Sequence, residues 1–496
     1  MKSIFRATAI LSGSSVITIF VGLASAKVMA LILQPTGYGY YGLLQSVVAV
    51  ASLLTGMGLA TGLVRQGASA ASRNDQEAIT SLRNGAWALF WSMGAVSMAA
   101  LILFRGPLSR LCGVNHPNTM PIIGLAILFT IGTNIQTGML NTYHRVEALG
   151  TYAVVNSVVC AMVAVAAVLI WHSGGILVAV VVGAVVSWAV SRALLHRHVG
   201  GSVSRFFRKE TLTAAWSLAQ FGGPFTVSTM VGTGVQLALP ILIFHLLSTE
   251  SVGYYKASAA VAVGYLGFLV TAMGQDYFPR LSAVKDNPKA LVELINEQHR
   301  LVMLLAVPII LGTLALVPYL IPLVYSRKFY PAVAILEWQL IGDIFKFSSW
   351  TMSYAILARC KTSIYFLTES LGGITTLITT WVGVRLFGLS GLGIASLMMF
   401  VIYYGLTWVV IRREVPLVWT ASNKKMLALA VLAAAIIRAL PSTRFAAFRT
   451  PVALMLAGAA TIFSGIVLYR QYTEGKSSRR GIESPRVSEK ETVSTV

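Results

Sequence analysis

Charged residues are scarce in this sequence. They make up 11% of its 496 residues, whereas 56% are hydrophobic, and the mean hydropathy is +0.75. An average soluble domain contains about 25% charged residues. The low fraction excludes a soluble enzyme and a disordered chain, and it favours a protein with several membrane spans.

Cysteine is also rare, and nucleotide-binding motifs are missing. Cys112, Cys160 and Cys360 are odd in number and have no CxxC spacing, so neither a disulfide framework nor a zinc site is expected. The sequence GKS at 475–477 ends like a phosphate-binding loop, but Arg470 stands where that loop requires glycine. We therefore expect no metal and no cofactor.

Acidic residues are outnumbered by basic ones. The chain has 17 Asp and Glu against 38 Lys and Arg, a formal net charge of +21. In a soluble protein this excess would suggest a nucleic-acid partner, whereas in a membrane protein basic connections report orientation. Hydropathy predicts fourteen spans, with 27 basic residues on the side that holds both termini and 6 on the other. Both termini are therefore expected in the cytoplasm.

The N-terminal apolar segment has two interpretations. Basic residues, an apolar stretch and the small residues at 24–26 are also features of a cleavable secretion signal. However, the apolar stretch continues past Lys27 through 28–33, and cleavage would halve a segment long enough to span. We expect the first membrane helix here.

Similar motifs recur at a nearly constant offset. Gly-Tyr-Tyr occurs at 39–41 and at 253–255, an offset of 214, and Tyr152 and Asn156 match Tyr365 and Glu369 at an offset of 213. Several matches in order predict two six-helix halves. Because both halves start from the cytoplasm, the repeat is parallel, and a ligand cavity is expected between the halves near the middle of the membrane.

The predicted fold class is therefore an all-α polytopic membrane protein. It has about fourteen transmembrane helices, in two six-helix bundles related by a parallel pseudo-repeat, with an extra C-terminal helix pair. The expected domains are an N-terminal bundle at 1–212, a C-terminal bundle at 213–413, the extra pair at 414–468 and a disordered cytoplasmic tail at 469–496.

Ionisable residues inside the spans mark candidate functional positions, because a charge at the centre of a membrane helix costs about 2.5–3.5 kcal/mol on insertion scales. The candidates within the first twelve spans are Lys27, Lys256, Glu337, Asp343, Lys346, Glu369 and Arg385. Their roles are open. Asp343 and Lys346 are three residues apart and can pair on one helix. Glu337, Lys256 and Arg385 lie near the outer interface, where they can also reach water.

The basic candidates predict an anionic ligand. Lys27, Lys256 and Lys346 are the proposed cavity cations, with Arg65 and Arg280 at the inner mouth. Arg suits fork-like phosphate contact and Lys suits point-charge contact, so phosphate, diphosphate or a uronic acid fits best. Asp343 and Glu369 are candidates for binding a coupled proton or ion, since burial raises the affinity of a carboxylate for protons.

Four motifs lie among these charges. They are DYFPRLS at 276–282, WQLIGD at 338–343 followed by Lys346, TES at 368–370, and PTGYG at 35–39 after the Lys27 helix. With these motifs the chain resembles the Wzx-type flippases of O-antigen and enterobacterial common antigen. These flippases belong to the polysaccharide-transport branch of the multidrug/oligosaccharidyl-lipid/polysaccharide (MOP) exporter superfamily.

The resemblance implies a V-shaped transporter of two bundles that alternates between inward-open and outward-open forms. It implies that undecaprenyl-diphosphate-linked oligosaccharide units move from the cytoplasmic to the periplasmic leaflet of the bacterial inner membrane. A glycan polymerase and a chain-length regulator are further implied partners, and no nucleic acid is expected. The identity of the sugar does not transfer.

Two alternatives belong to other functional classes. A cation-coupled multidrug antiporter of the same fold is disfavoured by a cationic cavity, because such drugs are usually positive. A membrane glycan polymerase or ligase needs catalytic groups on a sizeable outer loop, and the longest outer loop, at about 105–119, has no acidic residue. We therefore expect a transporter and not an enzyme.

Overall fold

The structure is a computed structural model. It describes residues 2–56, 59–73, 75–114, 116–143, 145–199, 209–359, 362–440 and 448–482. None of these residues lies in a β-strand, so the prediction of an all-α protein is confirmed.

Sixteen α-helices are present in the described residues. They are α1 (Lys2–Gly56), α2 (Leu59–Ser72), α3 (Gln76–Leu103), α4 (Arg105–Leu111), α5 (Thr119–Thr142), α6 (Val146–Trp171), α7 (Gly175–His198), α8 (Lys209–Leu246), α9 (Thr249–Ala272), α10 (Phe278–Val284), α11 (Pro288–Val324), α12 (Ala332–Arg359), α13 (Thr362–Phe387), α14 (Gly391–Glu414), α15 (Ala421–Ala439) and α16 (Arg449–Ile482).

Helix α1 contains two membrane-crossing segments. Gln34 has a left-handed backbone, with φ 57°, and Pro35 follows it within the helix. Proline removes a helix hydrogen bond and clashes with the preceding turn, so the helix breaks at this point. A straight helix of 55 residues would be about 80 Å long, far beyond the roughly 30 Å of the hydrocarbon core.

The helices confirm a polytopic membrane protein with about fourteen spans. Seven helical stretches are long and apolar enough to cross a membrane, and three of them, Gly13–Gly56, Val146–His198 and Ser363–Glu414, each hold two successive crossings. With α8, α9, α12 and α15, the described helices of membrane-spanning length number fourteen. Many of their large apolar side chains face outward, among them Met455 and Phe463. Such surfaces are stable against lipid.

The described helices pack as two bundles and a pair. Helices α1, α3, α5, α6 and α7 contact one another in the first half, as do α9, α11, α12, α13 and α14 in the second. The extra helices α15 and α16 pack against α11, and α15 also contacts α12. Buried Ile123 and Ile127 lie in the first bundle, and buried Ile310 and Leu336 in the second.

Helix α8 contacts both bundles. Near the start of α8, the backbone of Ala215 packs so closely against Gly85 of α3 that a β-carbon on Gly85 would not fit. Ser217 of α8 also donates a hydrogen bond to Gln66 of α2 over 3.0 Å. Farther along, Leu239 lines a cavity of the second bundle. The domain boundary near residue 212 stays a prediction.

The end of α16 corrects one expectation. The chain after residue 468 was expected to be disordered, but α16 continues to Ile482. Thr473 donates hydrogen bonds back to the carbonyls of Tyr469 and Arg470, within the helix. No proline occurs between Pro451 and Pro485 to break the helix. Residues 483–496 and Cys360 lie outside the described residues.

Successive crossings alternate in direction, so the connections form two groups. We call the end that contains α2, α10 and the α14–α15 connection the basic end. The end that contains the turn at Gln34, α4 and the α11–α12 connection is the opposite end.

Candidate functional site

The two bundles meet at the opposite end, where α1 crosses α9 at a pair of glycines. A β-carbon on Gly39 would lie 2.7 Å from the backbone nitrogen of Gly253 and would overlap the carbonyl oxygen of Thr249. A β-carbon on Gly253 would overlap the carbonyl oxygen of Pro35. Only glycine therefore permits this approach of the two backbones.

Aromatic rings pack beside the glycine crossing. Tyr38 lies edge-on to Tyr325 and Phe329, with ring centroids 5.7 and 5.6 Å apart, and Tyr254 lies 6.1 Å from Phe329. Tyr325 and Phe329 are fully buried. Each such ring pair contributes about 0.5–1.5 kcal/mol beyond the burial of its surface. Together with the glycine crossing, the rings close the contact between the two bundles at this end, and we call this contact the seal.

Lys27 bridges the bundles at the same end. Its Nζ donates a hydrogen bond to the carbonyl oxygen of Leu323 over 2.7 Å. Leu323 is the penultimate residue of α11, whose last four carbonyls lack partners within the helix. A cation at this position is stabilised by the partial negative charge of the helix terminus. The partner of Lys27 is thus a backbone oxygen, which no pattern of side chains predicts.

Lys256 also reaches from one bundle to the other. Its Nζ donates to Ser46 Oγ of α1 over 2.7 Å, and its stem passes over Gly42. The sequence left open that Lys256 reaches the water outside the membrane. In the structure the lysine is half-buried and its Nζ is directed to Ser46 instead. Lys27 and Lys256 therefore both contribute to the contact between bundles.

Asp343 and Lys346 pair as their spacing predicts. Lys346 Nζ lies 3.3 Å from Asp343 Oδ1, and both side chains are largely buried. The ammonium also lies 4.9 Å from the centre of the Trp350 ring and 5.3 Å from that of Phe400. The pair lines a cavity of about 190 Å³ inside the second bundle, together with Tyr255 and other side chains.

Glu369 lies in a neighbouring cavity of about 190 Å³. Its Oε1 accepts hydrogen bonds from Ser353 Oγ, over 2.9 Å, and from the hydroxyl of Tyr403. Trp350 lines this cavity and also contacts Lys346 of the Asp343 cavity. This arrangement can hold a proton or a small cation in either cavity.

The two arginines predicted at the mouth lie at the basic end and are exposed. Arg280 forms ion pairs with Asp276 over 3.5 Å and with Glu297 over 3.4 Å. Arg65 follows the second crossing, on α2. The structure thus brings Asp343 and Lys346 together. Lys27 and Lys256 lie at the contact between bundles, and Arg65 and Arg280 at the other end.

Sequence reasoning missed an ion cluster at the opposite end. Glu337, expected to reach water, is buried and pairs with Arg438 over 3.0 Å and with Arg449. Arg438 had no apparent role, but it joins α15 to α12 and also lies 5.1 Å from the centre of the Trp338 ring. Both arginines are more than 100 positions from Glu337, so helical spacing could not reveal their contact.

Metal binding finds no support in the described part of the chain, where no three His, Cys, Asp or Glu side chains are grouped as ligands. The charged side chains in this part of the chain have partners of three kinds. Lys27 and Lys256 bond to neutral oxygens across the contact between bundles, Asp343 pairs with Lys346, and Glu369 accepts from two hydroxyl groups.

Comparison with known proteins identifies the family. The model of the family described as "Polysaccharide biosynthesis protein" matches residues 28–334, more than half of the chain. The chain belongs to this family. The match begins at Val28, next to Lys27, and ends in the first turn of α12.

A curated relative is similar over most of its length. The lipid III flippase of Escherichia coli (strain K12) is 20% identical over 416 residues, which cover 82% of this chain and 97% of that protein. This is the kind of protein that the sequence motifs indicated.

Two solved structures have the same fold. The lipid II flippase MurJ in an inward closed conformation has a TM-score of 0.70 and 12% identity, covering 95% of this chain and all of that one. An inward-facing multidrug resistance MATE transporter of the MOP superfamily has a TM-score of 0.63 and 13% identity, and the match covers 82% of this chain and 96% of that one. The expectation of a MOP-type fold for this family member is confirmed.

Proposed function

We propose that this protein is a flippase for lipid-linked oligosaccharides. It moves undecaprenyl-diphosphate-linked repeat units, of the O-antigen or enterobacterial-common-antigen kind, from the cytoplasmic to the periplasmic leaflet of the bacterial inner membrane. It does so by alternating access, without a cofactor. The family to which the chain belongs and its curated relative support a role in glycan export.

The observation that carries the proposal is the position of two lysines at the contact between pseudo-symmetric bundles. Lys27 and Lys256 each span that contact through a single hydrogen bond to a neutral oxygen. A diphosphate offers these ammonium groups a stronger, charge-assisted bond. Binding of anionic cargo would therefore compete with the contacts that keep the bundles together, and this links cargo to movement.

Orientation follows from the charge distribution. The positive-inside rule places both termini and the basic end in the cytoplasm. The glycine crossing then faces the periplasm, so this conformation is the one that receives cargo from the cytoplasmic leaflet. Arg65 and Arg280 lie where a diphosphate would enter, and Lys346 is the cation deeper in the second bundle.

The energy source in this proposal is a proton or ion gradient acting on Asp343 and Glu369. Each carboxylate lines a cavity, where Asp343 has the ammonium of Lys346 as its neighbour and Glu369 has the hydroxyl groups of Ser353 and Tyr403. The glycan polymerase and chain-length regulator of the same pathway would receive the product on the periplasmic side.

Gene deletion followed by analysis of lipid-linked saccharides tests the proposal. Loss of the protein should remove surface glycan and cause an undecaprenyl-diphosphate-linked saccharide to accumulate on the cytoplasmic leaflet, out of reach of a glycosidase added to the periplasm. Complementation with the intact gene should reverse both effects. Accumulation on the periplasmic leaflet would instead indicate a polymerase or ligase, and altered drug resistance with normal glycan would indicate an antiporter.

A further inference from the structure

An apolar groove runs between α11, α15 and α16. Its volume is about 490 Å³, and its walls include Val307, Leu429 and Phe463. Polar side chains lie at the basic end of the groove, where Arg300 and Lys425 line it. The groove is distinct from the cavities of Asp343 and Glu369, because none of its lining residues belongs to α12, α13 or α14.

The two cations at the groove have no acidic partner within the described residues. Arg300 is half-buried and Lys425 is exposed, and the nearby Glu297 is already paired with Arg280. Two unpaired cations beside an apolar wall attract an anion that carries a hydrocarbon chain. The charge pattern is therefore complementary to an anionic lipid headgroup.

The length of the groove fits one leaflet. Its lining runs from Ser422 to Ala433 on α15 and from Leu456 to Val467 on α16, a rise of eleven residues along each helix. At 1.5 Å per residue this is about 16 Å, close to half of the roughly 30 Å hydrocarbon core. An acyl chain of a phospholipid in the leaflet at the basic end matches this length, whereas an undecaprenyl tail is several times longer.

We propose that the groove binds an anionic phospholipid, with one acyl chain between α11, α15 and α16 and its phosphate held by Arg300 and Lys425. The lipid fills a gap between the extra helix pair and the second bundle. It thereby fastens α15 along its length, between the hydrogen bonds of Asn423 at one end and the ion pair of Arg438 at the other. This site does not depend on the identity of the cargo.

Lipid titration of the purified full-length protein tests the proposal. Native mass spectrometry would measure binding of phosphatidylglycerol and of phosphatidylcholine to the protein in mild detergent. We expect tighter binding of phosphatidylglycerol. Arg300→Gln and Lys425→Gln should each weaken it about fivefold, the effect of one cation near a membrane surface, and leave phosphatidylcholine binding unchanged. Lys425→Arg should retain the preference.

Two further variants separate the groove from general surface charge. Lys424→Gln removes an equally exposed lysine, adjacent in sequence, that lines a different cavity, and it should leave phosphatidylglycerol binding unchanged. Ala459→Phe places a ring in the groove at an exposed position and should weaken binding of the lipid whatever its headgroup.

Three results would overturn the proposal. One is equal affinity for the two phospholipids, and another is an equal loss in Lys424→Gln and Lys425→Gln. The third is displacement of phosphatidylglycerol by an equimolar undecaprenyl-diphosphate-linked saccharide, which would assign the groove to cargo. The melting temperatures of Lys425→Arg and Lys425→Gln are measured alongside, so that a loss of binding caused by misfolding is recognised.

Discussion

Gly39 and Gly253 face each other at the point where the two halves of the chain meet. They stand at equivalent positions of the sequence repeat, 214 residues apart, and a β-carbon on either glycine would press into the backbone of the other helix. Equivalent residues that meet each other lie close to the axis of pseudo-symmetry. The repeat thus identifies the place where α1 and α9 cross and the periplasmic seal of the proposed inward-facing state.

Alanine at either glycine should disrupt this seal. Gly39→Ala or Gly253→Ala overlaps backbone atoms that cannot rotate away, at a cost of about 1–3 kcal/mol. We expect reduced surface glycan and a lower melting temperature of the purified protein. Gly405→Ala in α14, which has open space around the glycine, should leave both unchanged. Wild-type glycan and stability in both crossing variants would argue against a tight seal.

Lys27 and Lys346 should be needed for transport. Lys27→Ala removes a charged hydrogen bond between bundles, of about 1.5–3 kcal/mol, and Lys346→Ala leaves Asp343 without its cation. We expect less surface glycan at an unchanged level of protein, measured by immunoblot and glycan gel. Lys289→Ala, at an exposed lysine of α11, is the control. Normal glycan in both variants would refute the assignment of these lysines to the cargo path.

Local spacing predicted part of this architecture. The i,i+3 spacing of Asp343 and Lys346 anticipated their ion pair, and the Gly-Tyr-Tyr repeat anticipated two similar halves. Hydropathy gave the number of crossings, because the membrane imposes one length and one secondary structure on each span. These features depend on neighbours along one helix or on the bilayer itself.

Contacts between helices that are far apart along the chain could not be predicted from the sequence. Glu337 meets Arg438 and Arg449 only because α15 and α16 fold back onto α12. Lys27 contacts a backbone carbonyl, which every residue possesses, so no residue type marks the partner. A single sequence contains no information on such pairings unless a spacing or a repeat reveals them.

Glu369 should govern any dependence on the proton gradient. Glu369→Gln keeps an acceptor for Ser353 and Tyr403 but cannot take up a proton. We expect cargo flipping in proteoliposomes to become independent of an imposed pH gradient while cargo binding persists. Tyr403→Phe removes the hydrogen bonds of the tyrosine to Glu369 and Ser353 but no titratable carboxylate, so it should keep the dependence. Wild-type flux that ignores both proton and sodium gradients would rule out this role.

The extra helix pair should depend on Glu337. Glu337→Gln leaves Arg438 and Arg449 without their counter-charge in a largely buried site, and loss of one partner there costs about 3–5 kcal/mol. We expect a lower melting temperature and faster proteolysis between α14 and α15. Glu293→Gln, at an exposed position of α11, should have neither effect. Unchanged stability of Glu337→Gln would show that packing alone holds the pair.

Cys112 should resist thiol reagents. It is 5% exposed at the end of α4, and burial raises the pKa of its thiol, so less of the reactive thiolate is present at any pH below that raised value. A membrane-impermeant maleimide added to the periplasmic side at pH 7 should therefore label it slowly. His116→Cys, exposed in the same connection, should react readily from that side if both termini are cytoplasmic. Labelling of His116→Cys only after permeabilisation of the inner membrane would reverse the proposed orientation, and rapid labelling of Cys112 would contradict its burial.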